Sequence, residues 1–456
     1  MTEDNTQLHT PPSKGHARGR VHAHVHRQLR RFPDLDIGGV DTRDLEPRDA
    51  HFAKALEHAV VRRWITLEAI AASQVNRPWE TLDAHVQAAL MIGTAQILFM
   101  DNVPVHAAIN ESVNVVRSHI HVGATGLVNA VLRSISRLHT GTLEPGHPDA
   151  QQSLDHRNLV PMSDGSALVL AQDVFDQDPV IRLVEQTSHG EDLVIHWISA
   201  HGLARTQELC LHDLVVPSIT LTASDPDSIR NGPVEPHSRE GFFVWKGVPG
   251  ELGDFLAAHP GSRVQDPASA EPIAATSVLS PKLIVDYCAG RGTKTHQLAE
   301  IHPEARIIAS DIDHGRRHSL REAFAHHPRV DVVEHGDFRD AIGKTDLLLL
   351  DVPCTNTGVL PRRPEAKYRF GTDSLKSLAQ LQRTIVRETQ PLLAPDGAVA
   401  FSTCSLEPAE NRRQVTELCR KHSLKVHTES QRFPAGIPGD SPCDIHDGSF
   451  HAILTH

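Results

Sequence analysis

The sequence predicts a multidomain chain: an all-α domain, a small α+β domain, and an α/β domain built on a doubly wound parallel sheet. Three observations carry this reading. Apolar residues recur at helical spacing through the first third. The middle mixes short helical and strand-like runs around turn-forming residues. From Leu283 onward, strand-like runs alternate with helical ones. A chain of 456 residues has room for about two to four domains.

Residues 1–15 are polar, contain a Pro-Pro pair and show no periodicity, so a disordered tail is expected. Residues 16–140 are expected to form the helical domain. His51–Val75 places Phe52, Leu56, Val60, Ile65, Leu67 and Ile70 on an amphipathic pattern, and Thr81–Met100 repeats it. Pro104 suits the first turn of a third run, VHAAINESVNVV, and GLVNAVLRSISRL supplies a fourth. Residues 141–165 are rich in Pro, Gly, Ser and Asp and are expected to be a linker. The α+β region, 166–275, has a helix-like run over Val180–Val194 and strand-like runs at Ser218–Thr222 and Phe242–Lys246. A long loop, SDPDSIRNGPVEPHSREG, is expected between the strands. Residues 276–456 carry the strand-like runs LIVDYC, ARIIASD, VDVVEHGD, DLLLLD and GAVAFSTCS. Strands separated by helices imply a parallel sheet, which binds ligands at the carboxyl ends of its strands.

Composition narrows the classes. The net charge is −12, and the acidity belongs to the middle: residues 141–280 carry 7 basic and 20 acidic side chains, whereas 281–456 carry 23 of each. Any nucleic-acid contact must therefore come from local basic clusters. No run approaches the ~20 apolar residues of a membrane span, and the polar start does not resemble a secretory signal. Six cysteines without paired short spacing argue against a disulfide scaffold, so a cytoplasmic protein is expected. The 32 histidines are scattered, and no metal site is expected. With no coiled-coil seam, a monomer is expected.

The strand ends of the last domain hold the chemistry. After the first strand comes Asp286-Tyr-Cys288-Ala289-Gly290-Arg291-Gly292-Thr293-Lys294-Thr295, a loop of small residues entering a helix. It lacks the third glycine of the dinucleotide fingerprint, which speaks against a dehydrogenase. Asp311, at the end of the second strand, can accept from ribose hydroxyls, so loop and acid together imply a nucleoside-containing cofactor. The third strand leads to Asp337, the fourth ends in Asp351-Val-Pro-Cys354, and the fifth in Ser402-Thr403-Cys404. Two cysteines at the ends of neighbouring strands, beside a carboxylate and a nucleoside pocket, fit methylation at carbon 5 of a pyrimidine. A thiolate adding to carbon 6 makes carbon 5 nucleophilic enough to attack a sulfonium methyl. The residues alone do not rank Cys404 over Cys354.

These motifs resemble those of the Sun/Nop-type RNA 5-methylcytosine methyltransferases. That family's loop D-x-C-A-A-P-G-G-K-T stands here as DYCAGRGTKT. Its D-A-P-C-S-G-T-G stands as DVPCTNTG, and its S-T-C-S-x-x-P-x-E-N as STCSLEPAEN. VPVHAAINESVNVV and GLVNAVLRSISR are similar to the NusB-type RNA-binding domain, an arrangement shared with the bacterial members that modify small-subunit (16S) ribosomal RNA. The resemblance implies a Rossmann-like class I methyltransferase domain using S-adenosylmethionine. It implies Cys404 as nucleophile, Cys354 in product release and Asp351 on the cytosine. Cys288, Ala289, Gly290, Arg291, Gly292, Thr293 and Lys294 would cradle the cofactor's methionine part, with Lys294 and Asp351 shared between cofactor and catalysis. Asp311 would take the ribose and Asp337 the adenine side. Arg362, Arg363, Lys367 and Arg369, downstream of Cys354, would bind RNA. Transfer RNA is the alternative substrate. Arg291 and Thr293 depart from the family's proline and glycine; a threonine at positive φ would be strained, which leaves a non-catalytic RNA-binding protein as the contrasting reading.

Overall fold

The computed structural model describes residues 16–117 and 122–456; the expected disordered tail, 1–15, lies outside the described residues. The chain divides into two compact units. Unit 1 comprises residues up to Val215 together with Pro364–Arg369, and unit 2 comprises Val216–Arg363 and Phe370–His456.

Unit 1 begins with six helices: α1 (Ala17–Leu29), α2 (Pro47–Arg62), α3 (Trp64–Ala72), α4 (Ala84–Phe99), α5 (Val105–Arg117) and α6 (Val122–Leu138). Helix α4 is apolar on nearly all sides, as a central helix must be. Val86, Leu90, Met91, Ile92 and Leu98 are all buried, and Asp83 caps its start by accepting from the His85 N–H. Gly93 lets α6 approach, because a Cβ there would lie 2.6 Å from the Leu132 methyls.

Where a linker is expected, the chain instead builds an antiparallel sheet from β1 (His139–Leu143), β2 (Leu159–Pro161) and β3 (Ala167–Leu170), in the order β1-β3-β2. The turn-rich text is held because the buried Gln186 amide donates to the carbonyls of Ser153, His156 and Leu159 at 2.7–3.0 Å. The expected helix 180–194 is two helices, Pro179–Thr187 and Glu191–His201, broken at Ser188, whose φ is +58°. The expected middle domain is also divided. Residues 166–215 fold with unit 1, because Leu168, Leu170 and Phe175 complete its apolar core; residues 216–275 fold with unit 2.

Unit 2 holds two sheets. The smaller comprises β4 (Thr220–Ala223), β5 (Val234–Pro236), β6 (Phe242–Trp245) and β7 (Ser262–Val264) in the order β5-β6-β4-β7, so the expected long loop contains a short strand. The larger comprises β8 (Leu283–Asp286), β9 (Arg306–Ala309), β10 (Val330–Val332), β11 (Thr345–Asp351), β12 (Leu393–Thr403), β13 (Lys425–Arg432) and β14 (Ser449–Thr455), ordered β10-β9-β8-β11-β12-β14-β13. The five expected strands are parallel, and β14 runs antiparallel between β12 and β13. The chain steps outward from β8 through β9 to β10, then returns to the other side of β8 at β11. The carboxyl ends of β8 and β11 therefore flank a topological switch point, the place where such sheets bind ligands.

Candidate active site

A cavity of about 840 Å³ opens at that switch point. Its first wall is the turn after β8. Gly290 and Gly292 adopt positive φ, +58° and +94°, and Thr293 is the first residue of the helix Thr293–Ile301. The strain expected at Thr293 is absent, because the left-handed positions fall on the two glycines. A Cβ on Gly292 would also come within 2.7 Å of Phe324 and Leu320 carbons. Arg291 stands exposed on the cavity lining.

Asp286 ends β8 fully buried. Its Oδ2 accepts from the Thr295 hydroxyl at 2.7 Å, and its Oδ1 is buried without a partner. Burial pushes its carboxyl up to about 7. Asp311, just past the end of β9, accepts the Gly290 N–H on Oδ2 (2.9 Å) and the Asp313 N–H on Oδ1 (2.8 Å), which ties the two walls together. Each oxygen retains a second lone pair for a hydroxyl donor. Ile312, the next residue, is 76 % exposed on the same lining and offers an apolar face to a flat ring. His335 lies opposite, against Tyr287, with a buried, unpartnered Nδ1. Asp337, expected on the adenine side, instead lies exposed in an ion pair with Arg339 (2.8 Å) and does not line the cavity; His335, two residues earlier, does.

The second half of the cavity holds the cysteines. Cys354 follows β11 and Cys404 follows β12; parallel pairing of Asp351 with Ser402 brings both loops to the same edge. Their sulfurs lie 3.2 Å apart, and the Cys404 thiol donates to Asn356 Oδ1 at 3.2 Å. The hydrogen bond to Cys404, and then burial, raise the Cys354 thiol well above the ordinary range. Burial opposes the Lys294 charge, but Asp351 at 2.7 Å outweighs it, and the ammonium pKa is held above its usual value. Cys404 lines the same cavity as Lys294 and is close enough for their charges to interact. Asp351 has both oxygens engaged, the second by the Ser402 hydroxyl at 2.7 Å.

Glu410 and Asn411 hold these loops in place. Glu410, buried, accepts from the Thr355 N–H, the Thr355 hydroxyl and the Gln382 amide. Asn411 accepts from Thr403 and donates to the Ser405 carbonyl. The spacing between Cys404 and the Glu-Asn pair is thus a scaffold for both thiols. Cys288 lies half-buried on the cofactor wall with its thiol pushed up by burial.

Two of the expected RNA contacts are committed elsewhere. Lys367 is 1 % exposed, in unit 1, and its Nζ donates to the Arg62 and Thr187 carbonyls. Arg362 is held in unit 2 by Asp447 (2.7 Å) and Asp266 (3.1 Å). Arg363 and Arg369 are exposed, Arg369 near Glu365 at 3.9 Å.

Sheet order, glycine turn and strand-end acids define a Rossmann-like methyltransferase domain whose methyl donor is S-adenosylmethionine. The site fits that cofactor: the positive-φ glycines leave a cradle, and the unpartnered Asp286 Oδ1 awaits a cationic donor such as its ammonium. Residues 277–436 match the family model "16S rRNA methyltransferase RsmB/F", and residues 25–137 match the NusB family. The chain thus carries a helical domain similar to NusB and a Rossmann-like methyltransferase domain similar to that family model. Similar proteins include the "Probable ribosomal RNA small subunit methyltransferase B" of Bacillus subtilis strain 168, 26% identical over 401 residues, 84% of this chain and 83% of the relative. The ribosomal RNA small subunit methyltransferase B of Vibrio cholerae serotype O1 is 27% identical over 423 residues, 90% of each chain. The crystal structure of PH0851 shares the fold, with TM-score 0.67 and 18% identity over 96% of this chain and 98% of that one. Among the described residues, no group of His, Cys, Asp and Glu is arranged to hold a metal, and no helix is long and apolar enough to cross a membrane.

Proposed function

We propose that this protein is a cytoplasmic RNA (cytosine-5-)-methyltransferase acting on small-subunit ribosomal RNA through a covalent adduct on Cys404. The observation that carries the reading is the thiol pair at 3.2 Å in one cavity with the Lys294–Asp351 ion pair. The relatives' names supply the RNA class. Bound S-adenosylmethionine supplies an electrophilic methyl group. Cys404, as thiolate beside Lys294, adds to carbon 6 of the unstacked base. Addition places the ring electrons on carbon 5, where a cofactor held by the Gly290–Gly292 turn and Asp311 would supply the methyl group. Lys294 and Asp351 sit where they can balance the charge that develops on the ring.

Cys354 then serves in release. Once the Cys404 sulfur is bonded to carbon, the hydrogen bond that raises the Cys354 pKa most is gone. Cys354, as thiolate, removes the carbon 5 proton. The carbon 5–hydrogen electrons re-form the ring double bond and expel Cys404 as thiolate.

The test is transfer of labelled methyl from S-adenosylmethionine to unmodified small-subunit ribosomal RNA and to bulk transfer RNA, with wild type beside Cys404→Ala. Cys404-dependent 5-methylcytidine in ribosomal RNA is expected. Label in transfer RNA alone would overturn the substrate, and full activity of Cys404→Ala would overturn the mechanism.

A further inference from the structure

The start of β14 places two more polar groups in the cavity. Asp447 and Ser449 line it together with Cys354 and Cys404. Their segment is fastened to the nucleophile's own backbone. The Gly358 N–H donates to the Cys404 carbonyl (2.9 Å), and the Gly448 N–H donates to the Gly358 carbonyl (2.7 Å). A Cβ on Gly358 would lie 2.9 Å from the carbonyl oxygens of both Cys404 and Gly448, so no side chain fits between them.

The two side chains have unused hydrogen-bonding capacity. Ser449 is 4 % exposed, and its Oγ is buried without a partner. Asp447 is 6 % exposed; its Oδ2 accepts from Arg362 Nε at 2.7 Å, and among the described residues its Oδ1 accepts no hydrogen bond. Arg362, anchored on its other side by Asp266, fixes the Asp447 carboxyl in place. A buried polar atom without a partner, such as Ser449 Oγ, is uncommon in folded proteins, and both residues belong to the cavity lining.

We propose that Asp447 and Ser449 read the hydrogen-bonding edge of the target base and select cytosine over uracil. Cytosine presents an amine donor at carbon 4 and acceptors at N3 and O2. Burial and then Asp266 push the Asp447 carboxyl up to about 7, with Arg362 opposing them; in its ionised form the open oxygen accepts from the amine, and the Ser449 hydroxyl donates to a ring acceptor. Uracil places an oxygen at carbon 4, against the carboxylate, and a donor at N3. A site built to hydrogen-bond one edge rejects the other strongly. Arg362 is a positioning residue for Asp447. This inference rests on the cytosine reading above.

The test compares wild type, Asp447→Asn and Ser449→Ala on a ribosomal RNA transcript and on one carrying uridine at the methylated position, with kcat and KM measured for RNA and for S-adenosylmethionine. Both variants are expected to lose about tenfold or more in kcat/KM for the cytosine RNA, with KM for S-adenosylmethionine unchanged. Asp447→Asn is expected to lower the cytosine-to-uridine ratio at least about tenfold, a change that a purely structural role would not produce. Wild-type efficiency and ratio in both variants overturn this inference alone. No cytosine label from the wild type overturns both readings. Ser449→Ala removes only an unpartnered hydroxyl, so it keeps the test decisive if Asp447→Asn folds poorly.

Discussion

The two cysteines differ in environment more than in position. Cys354 is buried with its thiol held protonated, whereas Cys404 is partly open and near the Lys294 ammonium. On this account Cys354→Ala leaves addition and methyl transfer intact but slows release, so a protein–RNA adduct that survives denaturant should accumulate; gel electrophoresis after labelled methyl transfer detects it. A Cys354→Ala enzyme that turns over normally and traps nothing would contradict the release role. Both sulfurs were legible in the sequence as strand-end residues. Their ranking by residues alone was not, because it depends on which thiol is buried and which faces the cation. Asp286, His335 and Ser449 were also missed as site residues, since an unpartnered buried atom has no signature in a one-dimensional pattern.

Among the elements, the glycine turn and the Glu410–Asn411 scaffold decide whether the site assembles. Gly292→Ala combines a φ of +94° with a clash against Phe324 and Leu320. It should cost about 1 kcal/mol or more in stability and weaken S-adenosylmethionine binding, measurable by thermal melt and calorimetry. Glu410→Ala leaves the Thr355 N–H buried without its acceptor, a loss of about 1–3 kcal/mol, and should lower kcat more than cofactor affinity because Cys354 sits beside Thr355. The alternating strands from Leu283 to Ser405 read well from sequence because each is a short apolar run bounded by polar or turn residues. Strand β13 escaped notice: KVHTESQR is a polar edge strand, and only pairing with β14 reveals it. The ordered text after residue 141 escaped for a different reason. Its backbone is satisfied by Gln186, dozens of residues away in sequence.

On the scale of the whole molecule, the chain crosses between its units three times. The segment Pro364–Arg369 leaves unit 2 ten residues after Cys354, folds into unit 1, and returns at Phe370. In unit 1, the Tyr368 hydroxyl donates to the Val61 carbonyl and Lys367 caps the Arg62 and Thr187 carbonyls. In sequence these residues resemble an exposed basic cluster, and six residues are too few to signal a change of unit. Burial lowers the Lys367 pKa to about 7 from 10.5. Between those values the unfolded chain binds more protons than the folded one. Stability should therefore rise with pH from about 7 to about 10.5, at most about 1.4 kcal/mol per pH unit, with the full penalty present below that window. Denaturant unfolding of wild type and Lys367→Met across pH 7–9.5, about this window, should show the difference between the two curves changing with pH. Parallel curves would mean that the amine stays charged in the fold.

The most direct test of the central claim is to trap the adduct. Small-subunit ribosomal RNA transcribed with 5-fluorocytidine carries no removable hydrogen at carbon 5, so methyl transfer should leave the protein bound to the base. An S-adenosylmethionine-dependent, denaturant-resistant complex is expected, whose modified peptide, by mass spectrometry, contains Cys404. A complex mapped to Cys354, or none formed although S-adenosylmethionine binds, would contradict it.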